Sequence, residues 1–291
     1  MAVALVSDAA SQHLDADLPP LLAALRERGV AGDVVHWDDP GVDWSCYRMA
    51  VVRSPWTYFR RLDRFLAWID STAAATDLQN PPHLLRWNTD KTYLRDLSSA
   101  GIPIVPTTFI APGDDPAGMA LPPGRIVVKP AISAGANDTA AYGADEAEQA
   151  LAHVVRLIAA GRTAMVQPYA AGVDAAGETA LLFFAGRLSH AIRKGPILRD
   201  GAVELVEGLY APEDISARTP TDPQIAVAER VIATIPGEAL YARVDLVPAD
   251  DGTPQLLELE LTEPSVFLDH AGGAAARFAA AIAVRLNGAP T

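Results

Sequence analysis

The chain has 291 residues, 50% hydrophobic and 20% charged, a globular composition that excludes intrinsic disorder. A net charge of −13 leaves no basic excess to neutralise a phosphate backbone, which argues against a general nucleic-acid binder, and the single Cys46 excludes an internal disulfide and a cysteine-based zinc site. No apolar run approaches the ~18 residues of a membrane span. The opening Met1-Ala-Val-Ala-Leu-Val-Ser-Asp8 lacks a basic segment and reaches acid at Asp8, so it reads as the first strand of a soluble, cytoplasmic protein.

Punctuation divides the chain into blocks at about 1–83, 84–166 and 167–291. In the first, strand Val3–Ser7 precedes a helix over Leu18–Arg28 that Gly29 ends. Strands Asp33–Trp37 and Arg48–Val52 and an amphipathic helix over Arg61–Ser71 follow. This β-α-β-α order predicts a small parallel sheet. The first strand-helix turn has no Gly-x-Gly-x-x-Gly, which leaves a dinucleotide fold without support. Arg53 stands at the carboxyl end of a strand, where open α/β sheets place ligands. Ser54, Trp56 and Tyr58 follow it closely, so all four are candidate substrate contacts.

Asn80-Pro81-Pro82 separates the first block from the second. A helix containing Lys91 in its first turn, with Asn88 or Thr89 as N-cap, runs to Ala100, and Gly101-Ile-Pro103 stops it. Ala111–Pro123 reads as a surface loop. Strand Arg125–Pro130 carries Lys129 into a loop of small residues, Ala131–Thr139. Lys129 there can reach a phosphate, and the loop around Ser133, Gly135, Asn137 and Thr139 offers backbone N–H donors to phosphate oxygens. No Gly-x-x-x-x-Gly-Lys-Ser/Thr occurs, so this is not a P-loop. A helix over Asp145–Ala160 places Ala147, Leu151, Val154, Val155 and Ile158 at helical spacing, and strand Ala164–Gln167 closes the block.

Gln167-Pro168-Tyr169 opens the third block with a backbone that can meet an adenine edge. Asp174 and Glu178 follow, either able to reach ribose hydroxyls. Strands over Thr179–Phe184 and Leu188–Lys194 flank Gly186. Arg193 and Lys194 adjoin, so only one can face a given site. A helix over Asp222–Ile235 leads to the hairpin Tyr241–Val247 and Gln255–Leu261 about Asp251-Gly252, and a helix over Gly272–Leu286 follows. Period-2 alternation puts Arg243 and Asp245 on one face of the first hairpin strand and Glu258 and Glu260 on one face of the second, with Leu257, Leu259 and Leu261 opposite. Asp245 then lies across from Glu258. Three carboxylates on one face are either solvated or neutralised by a cation. Mg²⁺, which takes a few carboxylates and leaves its other positions to water and phosphate, is the natural candidate.

Taken in order, Lys91, Lys129 with its loop, Gln167-Pro168-Tyr169, Arg243-Val-Asp245 and Glu258-Leu-Glu260 with Leu-Thr-Glu-Pro-Ser265 resemble the ATP-grasp superfamily. The resemblance covers about residues 80–290. The common metal-binding Asn of that pattern is Glu260 here, which preserves oxygen ligation and adds charge. It implies an α/β ATP-grasp fold, with an N-terminal small parallel α/β domain (1–83), a central subdomain with a mobile loop (84–166) and a C-terminal subdomain with the metal site (167–291). It also implies ATP and Mg²⁺, two ions in number, on Asp245, Glu258 and Glu260. Lys91, Lys129, Ser133, Gly135, Asn137, Gln167, Pro168, Tyr169, Asp174 and Glu178 then hold the nucleotide. Arg243, Lys129, Lys194 and Arg193 are the catalytic candidates.

Within the superfamily, Val-Val-Arg-Ser-Pro-Trp-Thr-Tyr58, Leu-Leu-Arg-Trp-Asn-Thr-Asp-Lys91, Val-Val-Lys-Pro-Ala131 and Ser-His-Ala-Ile-Arg-Lys-Gly195 are similar to the group that includes the O-ureido-D-serine cyclo-ligase of D-cycloserine biosynthesis. That resemblance implies carboxylate activation as an acyl phosphate and attack by a nitrogen of the same molecule, with a small amino-acid-like substrate and neither nucleic acid nor membrane as partner. An intermolecular ligase like glutathione synthetase or D-alanine–D-alanine ligase shares every ATP-site residue, and a non-catalytic nucleotide-binding protein is the third reading. Self-association into a homo-oligomer stays open.

Overall fold

The computed structural model describes residues 2–116, 118–198, 205–210 and 213–288. The N-terminal region contains β1 (Ala2–Ser7), α1 (Leu18–Glu27), β2 (Gly32–His36), β3 (Tyr47–Ser54), α2 (Leu62–Ala75) and β4 (Asp77–Gln79). Its four strands form a parallel sheet in the order β2-β1-β3-β4. Two prolines open α1, where missing N–H groups cost nothing, and Gly29 takes φ +72° just beyond its end.

Two short helices follow, α3 (Pro82–Asn88) and α4 (Tyr93–Ser99). The helix expected to begin at Asn88 or Thr89 is therefore two helices. Pro82 starts the first, as proline does at a helix N-terminus. Asn88 ends it, and its side chain accepts from Leu261 N and donates to Leu259 O instead of capping. Lys91 lies in the turn between the helices.

Next come β5 (Thr108–Ile110), β6 (Ile126–Pro130), β7 (Ala140–Tyr142), α5 (Ala147–Ala159) and β8 (Ala164–Pro168), whose strands form an antiparallel sheet in the order β5-β8-β6-β7. The buried face of α5 is Ala150, His153, Val154 and Leu157, whereas Val155 is 44% exposed. The expected stripe was rotated, because a helix this rich in alanine and valine lets a second apolar row face solvent.

The remainder holds α6 (Gly172–Ala176), β9 (Glu178–Phe184), β10 (Arg187–Lys194), β11 (Ile215–Arg218), α7 (Asp222–Thr234), β12 (Tyr241–Pro248), β13 (Pro254–Glu260) and α8 (Ala274–Gly288). Its strands form a five-stranded antiparallel sheet, β11-β10-β9-β12-β13. A capping box of Thr221 and Gln224 starts α7.

Alternation along β1 and β3 divides the core. Val3, Leu5, Met49 and Val51 face α1 and α8, while Ala4, Val6, Ala50 and Val52 face α2 through Phe65, Trp68 and Ile69. Phe278 of α8 stacks on Phe184 of β9 at 4.4 Å and 4°, which fastens the C-terminal helix between two sheets and adds about 0.5–1.5 kcal/mol beyond its burial. Helix α4 packs with Tyr93, Leu94 and Leu97 against β12, β13 and α7. Among the described residues no helix is long and apolar enough to cross a membrane.

Candidate active site

The three sheets meet around a cavity of about 450 Å³. Its walls come from the loop after β1, the β6–β7 loop, the end of β8, the strands β9, β10, β12 and β13, and the segment after β13. One end is apolar, with Val105, Val127, Val173, Val247 and Leu257; the other is ionic.

The hairpin builds the ionic end. Asp245 lies directly across from Glu258, and Arg243 across from Glu260. A bulge at Leu257 shifts the register between Asp245 and Leu246, so Leu256 joins Leu259 and Leu261 in the core and Leu257 turns to the cavity. The expectation that Leu257 lies on the core face is corrected by that single extra residue.

Asp245 is 1% exposed and accepts from Arg243 Nε at 2.9 Å and Nη2 at 2.9 Å. Lys194 Nζ lies 3.5 Å from Asp245, 3.3 Å from Glu178 and 3.1 Å from Glu213. Arg243 also donates to Glu260. Lys91 Nζ lies 3.1 Å from Glu258 and donates to Ser133 O at 2.8 Å.

These pairs set the charges. Burial alone would raise Asp245 and Glu258, but Arg243 and Lys194 hold Asp245, and Lys91 and Lys129 hold Glu258, below the ordinary carboxylate range. Burial pushes Glu260 up to about 7 despite Arg243. Burial, followed by the charge of Glu260, pushes Glu263 up to about 8. Burial depresses Lys129, which Glu258 only partly offsets.

The site residues expected from sequence divide clearly. Lys91, Lys129, Ser133, Gly135, Thr139, Gln167, Pro168, Tyr169, Glu178, Lys194, Arg243, Asp245, Glu258, Glu260 and Trp56 all line the cavity. Asn137 lies in the turn of the small-residue loop and is not among the lining residues. Asp174 accepts from Tyr169 Oη at 2.5 Å away from the cavity, whereas Glu178 pairs in register with Lys194. Alternation on β10 decides the other choice: Lys194 enters the cavity, and Arg193 pairs with Asp214 at 3.2 Å on the other face.

Arg53 does not reach the cavity. It shares a face of β3 with Met49 and Val51, which is the core face, so its guanidinium lies 5.4 Å from the rings of both Tyr241 and Phe278 and donates to Pro264 O at 2.8 Å. Ser54 is buried on Ser7 at 2.8 Å, and Tyr58 is buried against Glu263. Of that expected cluster only Trp56 faces the cavity, with its indole N–H on Glu263 O at 3.1 Å.

Sequence reasoning missed Asp15, Asp17, Glu213, Glu263, Phe267 and His270, which also line the cavity. Asp15 and Asp17 carried a usable signal, since they follow the carboxyl end of the first parallel strand. The valines of the apolar end carried none, because they come from separate elements.

The loop over the cavity is tightly seated. Gly135 has φ +62°, and a Cβ there would lie 2.0 Å from Leu209 O, so only glycine fits. Asp138, farther along the loop, is held by Arg156 at 2.5 Å and Arg162 at 2.7 Å.

Nine carboxyl side chains and four lysine or arginine side chains line the cavity among the described residues. A polyphosphate entering so acidic a space needs accompanying cations. Among the described residues no three acidic, histidine or cysteine side chains form a metal cage. The donor set nonetheless fits Mg²⁺, which needs only one or two carboxylates when phosphate oxygens supply the rest. Oxygen donors in adjacent registers of one hairpin, with lysines able to turn to phosphate, meet that requirement.

A model of the N-terminal domain of D-cycloserine synthetase DcsG matches residues 3–80. The cycloserine biosynthesis protein DcsG of Streptomyces lavendulae is 42% identical over 98% of this chain and 99% of its own length. The crystal structure of D-cycloserine synthetase DcsG superposes with a TM-score of 0.90 at 40% identity, covering 98% of this chain and 100% of that one. A RimK-domain ATP-grasp protein of Sphaerobacter thermophilus superposes at 0.66 with 20% identity, over 96% and 98% of the two chains. The D-alanine–D-alanine ligase of Bacillus anthracis in complex with ATP also superposes at 0.66, with 13% identity over 99% and 97%. The fold is ATP-grasp, and the protein is an ATP-dependent carboxylate–amine ligase. Similarity along the whole chain is more specific than the shared fold. The chain belongs to the DcsG family of D-cycloserine synthetases.

Proposed function

We propose that this ligase closes O-ureido-D-serine to D-cycloserine with release of ADP and phosphate. The observation that carries the reading is the 42% identity to DcsG along essentially the whole of both chains.

Adenine occupies the apolar end, against Val105, Val173, Val247 and Leu257, beside the backbone of Gln167–Tyr169. Glu178 meets the ribose. Lys91 and Lys129 neutralise the phosphates, under the loop of Ser133 and Gly135. Asp245, Glu258 and Glu260 would hold two Mg²⁺ ions, which would supply positive charge that lowers the repulsion between the phosphates and a substrate carboxylate. The three sheets thereby correspond to an N-terminal domain and two clasping subdomains, with β1–β4 in the first.

Arg243 orients the substrate carboxylate that takes the γ-phosphoryl group, giving an acyl phosphate and ADP. The N–H of the substrate's own N–O group attacks the acyl carbon, the C–O bond to phosphate breaks with its electron pair, and the nitrogen loses its proton as the five-membered ring closes. That nitrogen bears a carbamoyl group, which leaves with one water as carbon dioxide and ammonia. Tethering of nucleophile to electrophile supplies the proximity that a second substrate would otherwise need binding energy to achieve. Lys194, fixed among Glu178, Glu213 and Asp245, adds positive charge at the same end.

The test is incubation with ATP, Mg²⁺ and O-ureido-D-serine. ADP, phosphate and D-cycloserine in equal amounts are expected. ADP release that requires an amino acid together with a separate amine, and never O-ureido-D-serine alone, overturns cyclisation in favour of intermolecular ligation.

A further inference from the structure

Phe267 is the one aromatic residue with positive φ among the described residues, at φ +50° and ψ +50°. A bulky side chain adopts the left-handed region only where its surroundings impose it, and such residues concentrate at functional sites. Here Asp17 imposes it. The Asp17 carboxylate accepts from three consecutive backbone N–H groups, Val266 at 2.7 Å, Phe267 at 3.1 Å and Leu268 at 2.7 Å. Asp17 immediately precedes α1, yet its side chain caps the distant turn and not its own helix. Arg53 holds the same segment at Pro264 O, and Arg243 holds it at Ser265 O at 3.2 Å.

The outcome is an apolar ring lining the cavity, its centre 5.7 Å from the Arg243 guanidinium. Arg243 is bonded to Asp245 and Glu260, so Phe267 stands at the ionic end of the cavity, where the proposed function activates the carboxylate. An apolar wall there offers no hydrogen bond to an incoming amine or water. An intermolecular ligase needs an approach open there; a cyclising enzyme does not.

We propose that Phe267 is a specificity-determining residue that seals the activated carboxyl against outside nucleophiles, with Asp17 as the positioning residue that holds it. This rests on the reading of the protein as an acyl-phosphate-forming cyclase. Hydroxylamine probes it directly. Its nitrogen attacks the acyl carbon, the C–O bond to phosphate breaks with its electron pair, the nitrogen gives up a proton, and a hydroxamate forms in place of the ring.

The experiment measures hydroxamate against D-cycloserine by mass spectrometry, with ATP, Mg²⁺, O-ureido-D-serine and hydroxylamine. Phe267→Ala and Phe267→Gly should raise the hydroxamate fraction roughly ten-fold, the discrimination a single apolar pocket contact supplies, with the KM for ATP unchanged. Glycine takes the left-handed backbone without strain, so Phe267→Gly keeps the turn. Phe267→Leu restores the bulk and should return the fraction toward wild type. Asp17→Asn should raise it as well, because its amide N–H₂ cannot accept where the second carboxylate oxygen does. An unchanged fraction in folded Phe267→Gly overturns the proposal. If the wild-type protein releases ADP with a different amino acid and not with O-ureido-D-serine, the substrate reading fails, and the hydroxamate yield from that other acid decides the role of Phe267.

Discussion

Asp245 and Glu258 face each other across the β12–β13 hairpin, and different lysines hold them, Lys194 on Asp245 and Lys91 on Glu258. Asp245 is kept ionised by Arg243 of its own strand together with Lys194, and Glu258 by Lys91 and Lys129 from elsewhere in the chain. Under the proposed function, a nucleotide with its metal ions would compete for both partners.

Glu258→Gln should leave the fold intact, since Lys91 retains its bond to Ser133 O. It should lower kcat by about 100-fold or more, the scale of losing a group aimed at developing charge. ADP release alongside circular dichroism checks both halves. Near-normal turnover would remove Glu258 from the metal site.

Glu263 makes ligand-free stability depend on pH. Its carboxyl is pushed up to about 8 from 4.5, chiefly by burial. Between those values the folded protein holds a proton that the unfolded chain has released. Stability therefore falls as pH rises through this window and levels off above it. Glu263→Gln stays neutral throughout and should gain on the wild type as pH climbs. Urea unfolding at a series of pH values tests this; parallel curves for the two proteins contradict the assignment.

Gly135→Ala should unseat the loop over the cavity, because the new Cβ meets Leu209 O at 2.0 Å. A loop displaced by about an ångström is expected to cost roughly 100-fold in kcat/KM. Hydrogen exchange over 131–139 should slow on adding ATP and Mg²⁺ in the wild type and much less in the variant. Equal protection in both would mean that the loop does not close on nucleotide.

Arg53→Ala should act on stability. It removes a buried cation from between Tyr241 and Phe278, from Pro264 O and from the Asp17 carboxylate 4.0 Å away, a loss of about 3 kcal/mol. Chemical denaturation measures it. Unchanged stability with a raised substrate KM would restore Arg53 to the substrate pocket.

Local chemistry already made much of this molecule readable from its sequence. Asp251-Gly252 and two alternating runs define the hairpin, and the period of 2 puts Arg243 with Asp245 and Glu258 with Glu260 and separates Arg193 from Lys194 without saying which one faces inward; Asp245 meets Glu258 through the bulge at Leu257. Lys129 before a small-residue loop, and the order of motifs along the chain, pointed to the ATP-grasp fold. What tertiary structure alone decided are the pairings between distant segments. Arg53 looks like a substrate contact at a strand end, but the sheet face it shares with Met49 and Val51 is covered by α8, more than two hundred residues away in sequence. The bulge that turns Leu257 to the cavity depends on its cross-strand neighbour. The left-handed turn at Phe267 exists because Asp17, from the far end of the chain, supplies the acceptors for three backbone N–H groups that no local residue satisfies. Periodicity records which side of its own element a residue occupies; which other element covers that side is settled only when the chain packs.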